Sequence, residues 1–207
     1  MPDSLDDGAA ARALPSPAAL RAALPADADA AAAVARGRAA LRDALHGRDP
    51  HRLVVVAGPC SIHDPEAARD YARRLAAVAR VHADALVVVM RAYVEKPRTA
   101  LGWTGLVHDP HLDGSGDVRE GLACARRVLR EIGALGLACG GEILEPLVAP
   151  YLTDLMAWAS LGARTVESQV HRRMASGLPL PVGFKNTVDG RLRPAADAAH
   201  VAARPHV

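Results

Sequence analysis

Leu53-Val54-Val55-Val56-Ala57 followed by Gly58-Pro59-Cys60 is the stretch from which the fold can be read. A continuous apolar, mostly β-branched run without alternation is what a strand buried on both faces of a parallel sheet requires. Gly58-Pro59 ends it, and Asp64-Pro65 supplies an N-cap and a proline for the first helical position. Ala68, Tyr71, Ala72, Leu75 and Val78 then recur at helical spacing, which predicts an amphipathic helix over 65–80. Leu86–Met90 repeats the buried-strand pattern and runs into Arg91.

Further along, Asp117 and Glu120 stand at capping-box spacing ahead of Leu122, Val128, Leu129 and Ile132. Gly133 and Gly136 close that helix, and Leu137–Ile143 reads as the next strand. The pattern continues with a helix over Tyr151–Ala159, a strand over Ala163–Val166 and a short helix over His171–Ser176. Pro181–Phe184 is a strand ending in Lys185, and Pro194–Ala203 a last helix. Strands alternating with helices predict a parallel sheet with right-handed crossovers. A doubly wound dinucleotide fold would place G-x-G-x-x-G after its first strand, and Gly58-Pro59-Cys60-Ser61 is not that. Cys60, Arg91, Glu142, Arg164 and Lys185 each fall at or just past the C-terminal end of a different strand, where a barrel gathers its active site. The expectation is an α/β fold of the (β/α)8 barrel type, present as about its first five units over residues 49–207.

Residues 1–48 precede it as an Ala- and Pro-rich extension. Only Ala30–Leu45 is regular, with Val34, Leu41 and Leu45 on one helix face. A mobile start, then a helix packing on a partner surface, is expected. The start, Met1 to Asp7, is acidic with no apolar stretch behind it, unlike a signal peptide. No apolar run approaches the length of a membrane span, and three widely spaced cysteines suit a reducing compartment. A cytoplasmic protein is expected. With a net charge of only +2, no nucleic-acid partner is indicated, though a local cluster of cations can still serve a small anion. Aromatic residues make up 3% of the chain, so the core must be aliphatic.

Arg91, Lys96, Arg98, Arg164 and Lys185 are cations where the chain leaves the sheet. An arginine fork grips phosphate or carboxylate at two points, and lysine adds a point charge. Solvation, or pairing with Glu95, Glu142, Asp154 or Glu167, is the plainer alternative for each. Cys60 taken alone is more often an inert thiol than a ligand or nucleophile. Cys60 and His63, with His108 and His111, also have the residue types of a four-ligand zinc site. The turn sequence Asp109-Pro110 between the last two histidines argues against it. Trp103, between Gly102 and Gly105, suggests an ordered loop plug.

Three long motifs are Gly58-Pro59-Cys60-Ser61-Ile62-His63-Asp64, Met90-Arg91-Ala92-Tyr93-Val94-Glu95-Lys96-Pro97-Arg98-Thr99 and Gly102-Trp103-Thr104-Gly105-Leu106. Gly162-Ala163-Arg164-Thr165, Glu167-Ser168-Gln169-Val170-His171 and Pro181-Val182-Gly183-Phe184-Lys185-Asn186 follow in order. Together they resemble the microbial, feedback-regulated type I class of 3-deoxy-D-arabino-heptulosonate 7-phosphate (DAHP) synthases, from about residue 15 onward. The resemblance implies an aldol-type, C–C bond-forming transferase that condenses phosphoenolpyruvate with erythrose 4-phosphate, the first step of the shikimate pathway to aromatic amino acids. It implies that Arg91, Lys96, Arg164 and Lys185 hold phosphoenolpyruvate. The Lys96-Pro97-Arg98-Thr99 loop would meet erythrose 4-phosphate. Lys96 and Glu142 would be catalytic, and Cys60 would be a ligand of a divalent metal such as Mn2+, Fe2+ or Co2+. An aromatic amino acid effector and a homo-oligomer are implied as well.

The resemblance also carries departures. Asn186-Thr187-Val188-Asp189-Gly190 replaces the commoner Asn-Gly-Thr-Asp-Gly, and Pro179 stands where regulated members often carry Ser, which argues against the usual effector pocket. The family's other metal ligands, a His, a Glu and an Asp, lie on later strands that find no counterpart here. The expectation is therefore a chain inactive by itself, with an unpaired edge on its fifth strand. A non-catalytic remnant that binds phosphorylated ligands or a full-length paralogue is the competing expectation.

Overall fold

The computed structural model describes residues 13–206. Two helices come first, α1 (Pro17–Ala23) and α2 (Ala28–Leu45). Next are β1 (Leu53–Ala57), α3 (Pro65–Val81), β2 (Leu86–Arg91), α4 (Val118–Ala134) and β3 (Ala138–Glu142). A short α5 (Ala149–Leu152) and a 3-10 turn over Thr153–Leu155 lead to β4 (Trp158–Leu161), α6 (Gln169–Gly177), β5 (Val182–Phe184) and α7 (Arg193–Ala202).

The sheet has five strands in the order β1-β2-β3-β4-β5, and every neighbouring pair is parallel. A doubly wound sheet reverses its order at a switch point, whereas this unbroken succession is a barrel wall. The molecule is thus the expected partial (β/α) barrel. In register, Met90 lies opposite Cys139, Glu142 opposite Ser160 and Leu161 opposite Phe184, so the C-terminal strand ends open on one rim.

One helix reading and one strand reading need correction. Tyr151–Ala159 is not one helix, and the fourth strand is Trp158–Leu161 rather than Ala163–Val166. Ala157, Ala159 and the residues before them favour a helix by propensity, but pairing with β3 on one side and β5 on the other overrides it. The carbonyl of Gly162 then accepts from the amides of Thr165 and Val166 at 3.1 and 3.0 Å, which turns the chain just after the strand. β1 also departs from expectation. Among the described residues it pairs only with β2, and Leu53 is 68% exposed rather than buried on both faces.

Helix starts agree with the sequence. Asp64 accepts from the amides of Glu66 and Ala67, with Pro65 at the first position of α3. Asp117 accepts from the amide of Glu120 at 3.0 Å. α4 buries Leu122, Val128, Leu129 and Ile132 as expected. α3 buries Ala68, Ala72 and Ala76, leaving Tyr71 and Val78 exposed, because small residues let it lie close to its neighbours.

The extension is part of the same core. Leu41 of α2 packs with Val87, Val89, Ala138 and Ala157, covering the lower part of the strands. The Arg38 side chain donates to the carbonyls of Met156 and Thr153 at 3.0 and 2.6 Å. So α2 packs on its own chain. The stretch expected to be mobile is also tied down from Ala13 on. Ser16 caps α1, Leu20 is buried, and Tyr151 donates its hydroxyl to the Pro15 carbonyl at 2.7 Å. The buried Arg126 bonds both the Leu24 carbonyl, at 2.8 Å, and the Asp154 carboxylate, at 2.7 Å. The acidic start and the rest of the expected mobile segment, residues 1–12, lie outside the described residues.

Candidate anion-binding active site

At the rim, the β2 exit supplies most of the site. Its loop doubles back on itself: the Lys96 amide donates to the Thr104 carbonyl at 2.9 Å, and the Val107 amide to the Val94 carbonyl at 3.1 Å. Gly105 makes that fold possible, since it has φ +115° and a Cβ there would lie 2.7 Å from the Glu95 Cα. Trp103 plugs the loop as expected, donating its indole N–H to the Asp109 carbonyl at 2.8 Å, while Arg98 Nε donates to the Trp103 carbonyl at 2.7 Å.

Below the loop, Glu95 is a buried carboxylate, 1% exposed. It accepts from the amides of Leu144 and Glu145, each at 3.1 Å, and so ties the β2 exit to the β3 exit. His108 Nε2 lies 3.5 Å from the same carboxylate. That hydrogen bond holds the His108 pKa above its ordinary value; burial works against it, and the charges of Glu95 and Glu145 add to it.

Above, one cavity of about 480 Å³ is lined by Arg91, Tyr93, Lys96, Pro97, Arg98, Thr99, Glu142, Arg164 and Lys185 among others. Cys60 is at its edge: Lys96 Nζ donates to the Cys60 sulfur at 2.7 Å, and Arg91 donates to the Cys60 carbonyl at 2.9 Å. The Lys96 hydrogen bond holds the Cys60 thiol below its ordinary pKa; burial opposes this, and the charges of Lys96, Arg91 and Lys185 reinforce it. Arg164 reaches from the β4 exit to donate to the Thr99 hydroxyl at 2.6 and 2.9 Å. Lys185 Nζ donates to Glu142 at 2.8 Å. Burial alone would pull the lysine pKa down, but the bond and charge of Glu142, with a contribution from Tyr93, raise it above the usual value. Gly162 makes room for that pair, because a Cβ there would sit 2.0 Å from a Glu142 oxygen.

The sequence-predicted residues therefore come together. Of the carboxylates named as possible partners, only Glu142 pairs with a site cation; Asp154 pairs with Arg126 and Glu167 with Arg191. Among the described residues, Arg91, Lys96, Arg98 and Arg164 have no carboxylate in ion-pair range. Unneutralised cations sharing one concavity repel each other unless an anion lies between them. That is the decisive feature of the site.

A family pattern described as "DAHP synthetase I family" matches residues 24–207. The chain belongs to that family. This DAHP synthetase I family chain is 53% identical, over 193 residues, to the Tyr-sensitive phospho-2-dehydro-3-deoxyheptonate aldolase of Escherichia coli, covering 93% of itself and 54% of that relative. It is 52% identical over 190 residues to the Phe-sensitive aldolase of the same organism, covering 92% and 54%. A solved phospho-2-dehydro-3-deoxyheptonate aldolase structure from Francisella tularensis superposes with a TM-score of 0.90 at 40% identity, covering 94% of this chain and 57% of that one. The chain spans about half the length of the curated relatives it matches.

The zinc alternative fails in this family member. Among the described residues no three His, Cys, Asp or Glu side chains come together around a possible ion. Cys60 faces Lys96, and His108 faces Glu95. The same finding bears on the divalent metal: Cys60 offers one donor, short of the ligand shell a metal needs, so the described residues do not complete a metal site. Among the described residues no helix is long and apolar enough to cross a membrane. Sequence reasoning missed Tyr93 and Glu95 as parts of the site. In a chain with 3% aromatic residues, a tyrosine two positions past Arg91 was the available signal for the first.

Proposed function

We propose that this chain carries the phosphoenolpyruvate-binding half of a 3-deoxy-7-phosphoheptulonate synthase. The supporting observation is the group Arg91, Lys96, Arg98 and Arg164, which lines one cavity without carboxylate partners among the described residues. Phosphoenolpyruvate presents a phosphate and a carboxylate on three carbons, and forked arginines with two lysines match that pair of anions. Arg91, Lys96, Arg164 and Lys185 hold it, and Lys96 to Thr99 receive erythrose 4-phosphate.

The reaction is a condensation between positioned partners. C3 of the enol phosphate attacks the aldehyde carbon and forms the new C–C bond, using the C2–C3 π electrons. Water adds at C2, and the C2–O bond to phosphate breaks as phosphate leaves. The Lys96 ammonium stabilises the alkoxide developing from the aldehyde, and Glu142, anchored by Lys185, is the carboxylate beside the reacting carbons. A divalent metal, when bound in the intact enzyme, would polarise that aldehyde; Cys60 is the one ligand proposed here. A cytoplasmic, homo-oligomeric enzyme goes with this reading.

The E. coli relatives are named for tyrosine and phenylalanine sensitivity. Pro179 lines a separate cavity of about 500 Å³ with Arg21, Arg38, Asp154 and Arg173. Proline there offers neither an N–H nor a hydroxyl to an amino acid, so weak or absent aromatic feedback is proposed.

Calorimetric titration of the purified chain with phosphoenolpyruvate tests the reading. Binding that is lost in Arg164→Leu supports it, and no binding by the wild type overturns it. The incomplete metal donor set favours a second reading, a binding protein without catalysis. Phosphoenolpyruvate binding with no turnover, even when a complementing C-terminal half is supplied, would select it.

A further inference from the structure

We infer that Tyr93 is a positioning residue for the substrate anion: its ring holds the Arg91 guanidinium and the Lys185 ammonium in register across the cavity. The inference rests on the reading of this cavity as a phosphoenolpyruvate site. Arg91 Cζ lies 4.0 Å from the ring centroid, and Lys185 Nζ lies 5.0 Å from it. The ring is 2% exposed, and its hydroxyl is 2.9 Å from the Ser160 hydroxyl on β4. The ring thus links the exits of β2 and β5, whose spacing sets the separation of the two cations, while its hydroxyl meets β4.

An aromatic ring attracts cations through its quadrupole without carrying a net charge. A carboxylate in the same place would also hold both cations but would compete with the substrate for them. The ring leaves the Arg91 charge unspent, whereas Lys185 is also paired with the Glu142 carboxylate at 2.8 Å. A guanidinium lying over a ring also keeps its N–H donors in its own plane, free to point away from the ring. One Arg91 nitrogen bonds the Cys60 carbonyl, and Arg91 Nε is buried with no partner among the described residues.

Phosphoenolpyruvate titration of the wild-type chain, Tyr93→Phe and Tyr93→Leu is the test, read alongside NMR shifts of the Arg91 Hδ and Lys185 Hε protons. Tyr93→Phe keeps the ring and loses the Ser160 contact, so its affinity should stay within about twofold of wild type. Tyr93→Leu should bind about tenfold more weakly. The methylene protons should show upfield ring-current shifts in the wild type and in Tyr93→Phe. Tyr93→Leu binding as tightly as wild type, or Tyr93→Phe as weakly as Tyr93→Leu, would overturn the inference. If the wild type does not bind phosphoenolpyruvate, the reading of the cavity fails, and the protons decide the role of Tyr93. Wild-type shifts equal to random-coil values then overturn it.

Discussion

Arg91 combines two contacts, a ring under its face and the Cys60 carbonyl on one nitrogen, with a buried Nε that has no partner among the described residues. Arg91→Leu removes a forked donor from an anion site and should weaken phosphoenolpyruvate binding at least tenfold, measured by titration calorimetry. Glu95 and His108 make a different prediction, one that depends on pH. The His108 pKa is raised from an ordinary 6.5 in the folded state, mainly by its bond to Glu95. A raised cationic pKa contributes stability that is full below 6.5 and fades as pH climbs through the folded value. The stability gap between wild type and His108→Gln, about 1 kcal/mol, should therefore be largest below pH 6.5 and close above the raised pKa. Urea unfolding across that range measures it, and a gap that widens with pH would contradict the pairing. Charged residues at strand ends could be picked out from order along the chain. Glu95 could not, because its partners, the amides of Leu144 and Glu145, lie some fifty positions away in sequence.

At the level of elements, capping signals were the most dependable guide. Asp64 and Asp117 both accept the amides that their spacing foretold, because a cap is satisfied within a few residues. Asp117→Ala should cost about 1 kcal/mol in thermal unfolding, by stranding the first amides of α4. Leu41 holds α2 against β2 and β3. Truncation to Ala should cost about 3 kcal/mol and leave the segment before β1 open to limited proteolysis. β4 was legible only as an error. Its residues favour a helix locally, and the neighbours that make them a strand come from β3 and β5. The helix expected over Ala30–Leu45 is present as α2, but the stretch from Ala13 to it was misread for the same reason as β4. An Ala- and Pro-rich stretch looks unstructured until Arg126, Tyr151 and the strands supply its partners.

For the molecule as a whole, five parallel strands make an open wall, and among the described residues β1 and β5 each pair on one side only. A (β/α)8 barrel has no free edges. With a single donor at Cys60, this chain mixed with manganese and both substrates should form no heptulosonate. Co-expression with the part of a family relative beyond the matched half should restore product, assayed by loss of phosphoenolpyruvate absorbance. Turnover by the chain alone would show that its own residues suffice. Alternating strand and helix patterns determined the α/β class, and the long motifs determined the family, because both are written in local order. Strand ends likewise placed Arg91 and Lys185 just where β2 and β5 finish, whereas Arg164 follows β4 only because that strand ends at Leu161 and not at the expected Val166. Which of those cations stay free of carboxylates, how Tyr93 spans Arg91 and Lys185, and where α1 and α2 pack were decided only by the tertiary structure. These depend on contacts between residues far apart in the chain, which exist only once the strands are in register.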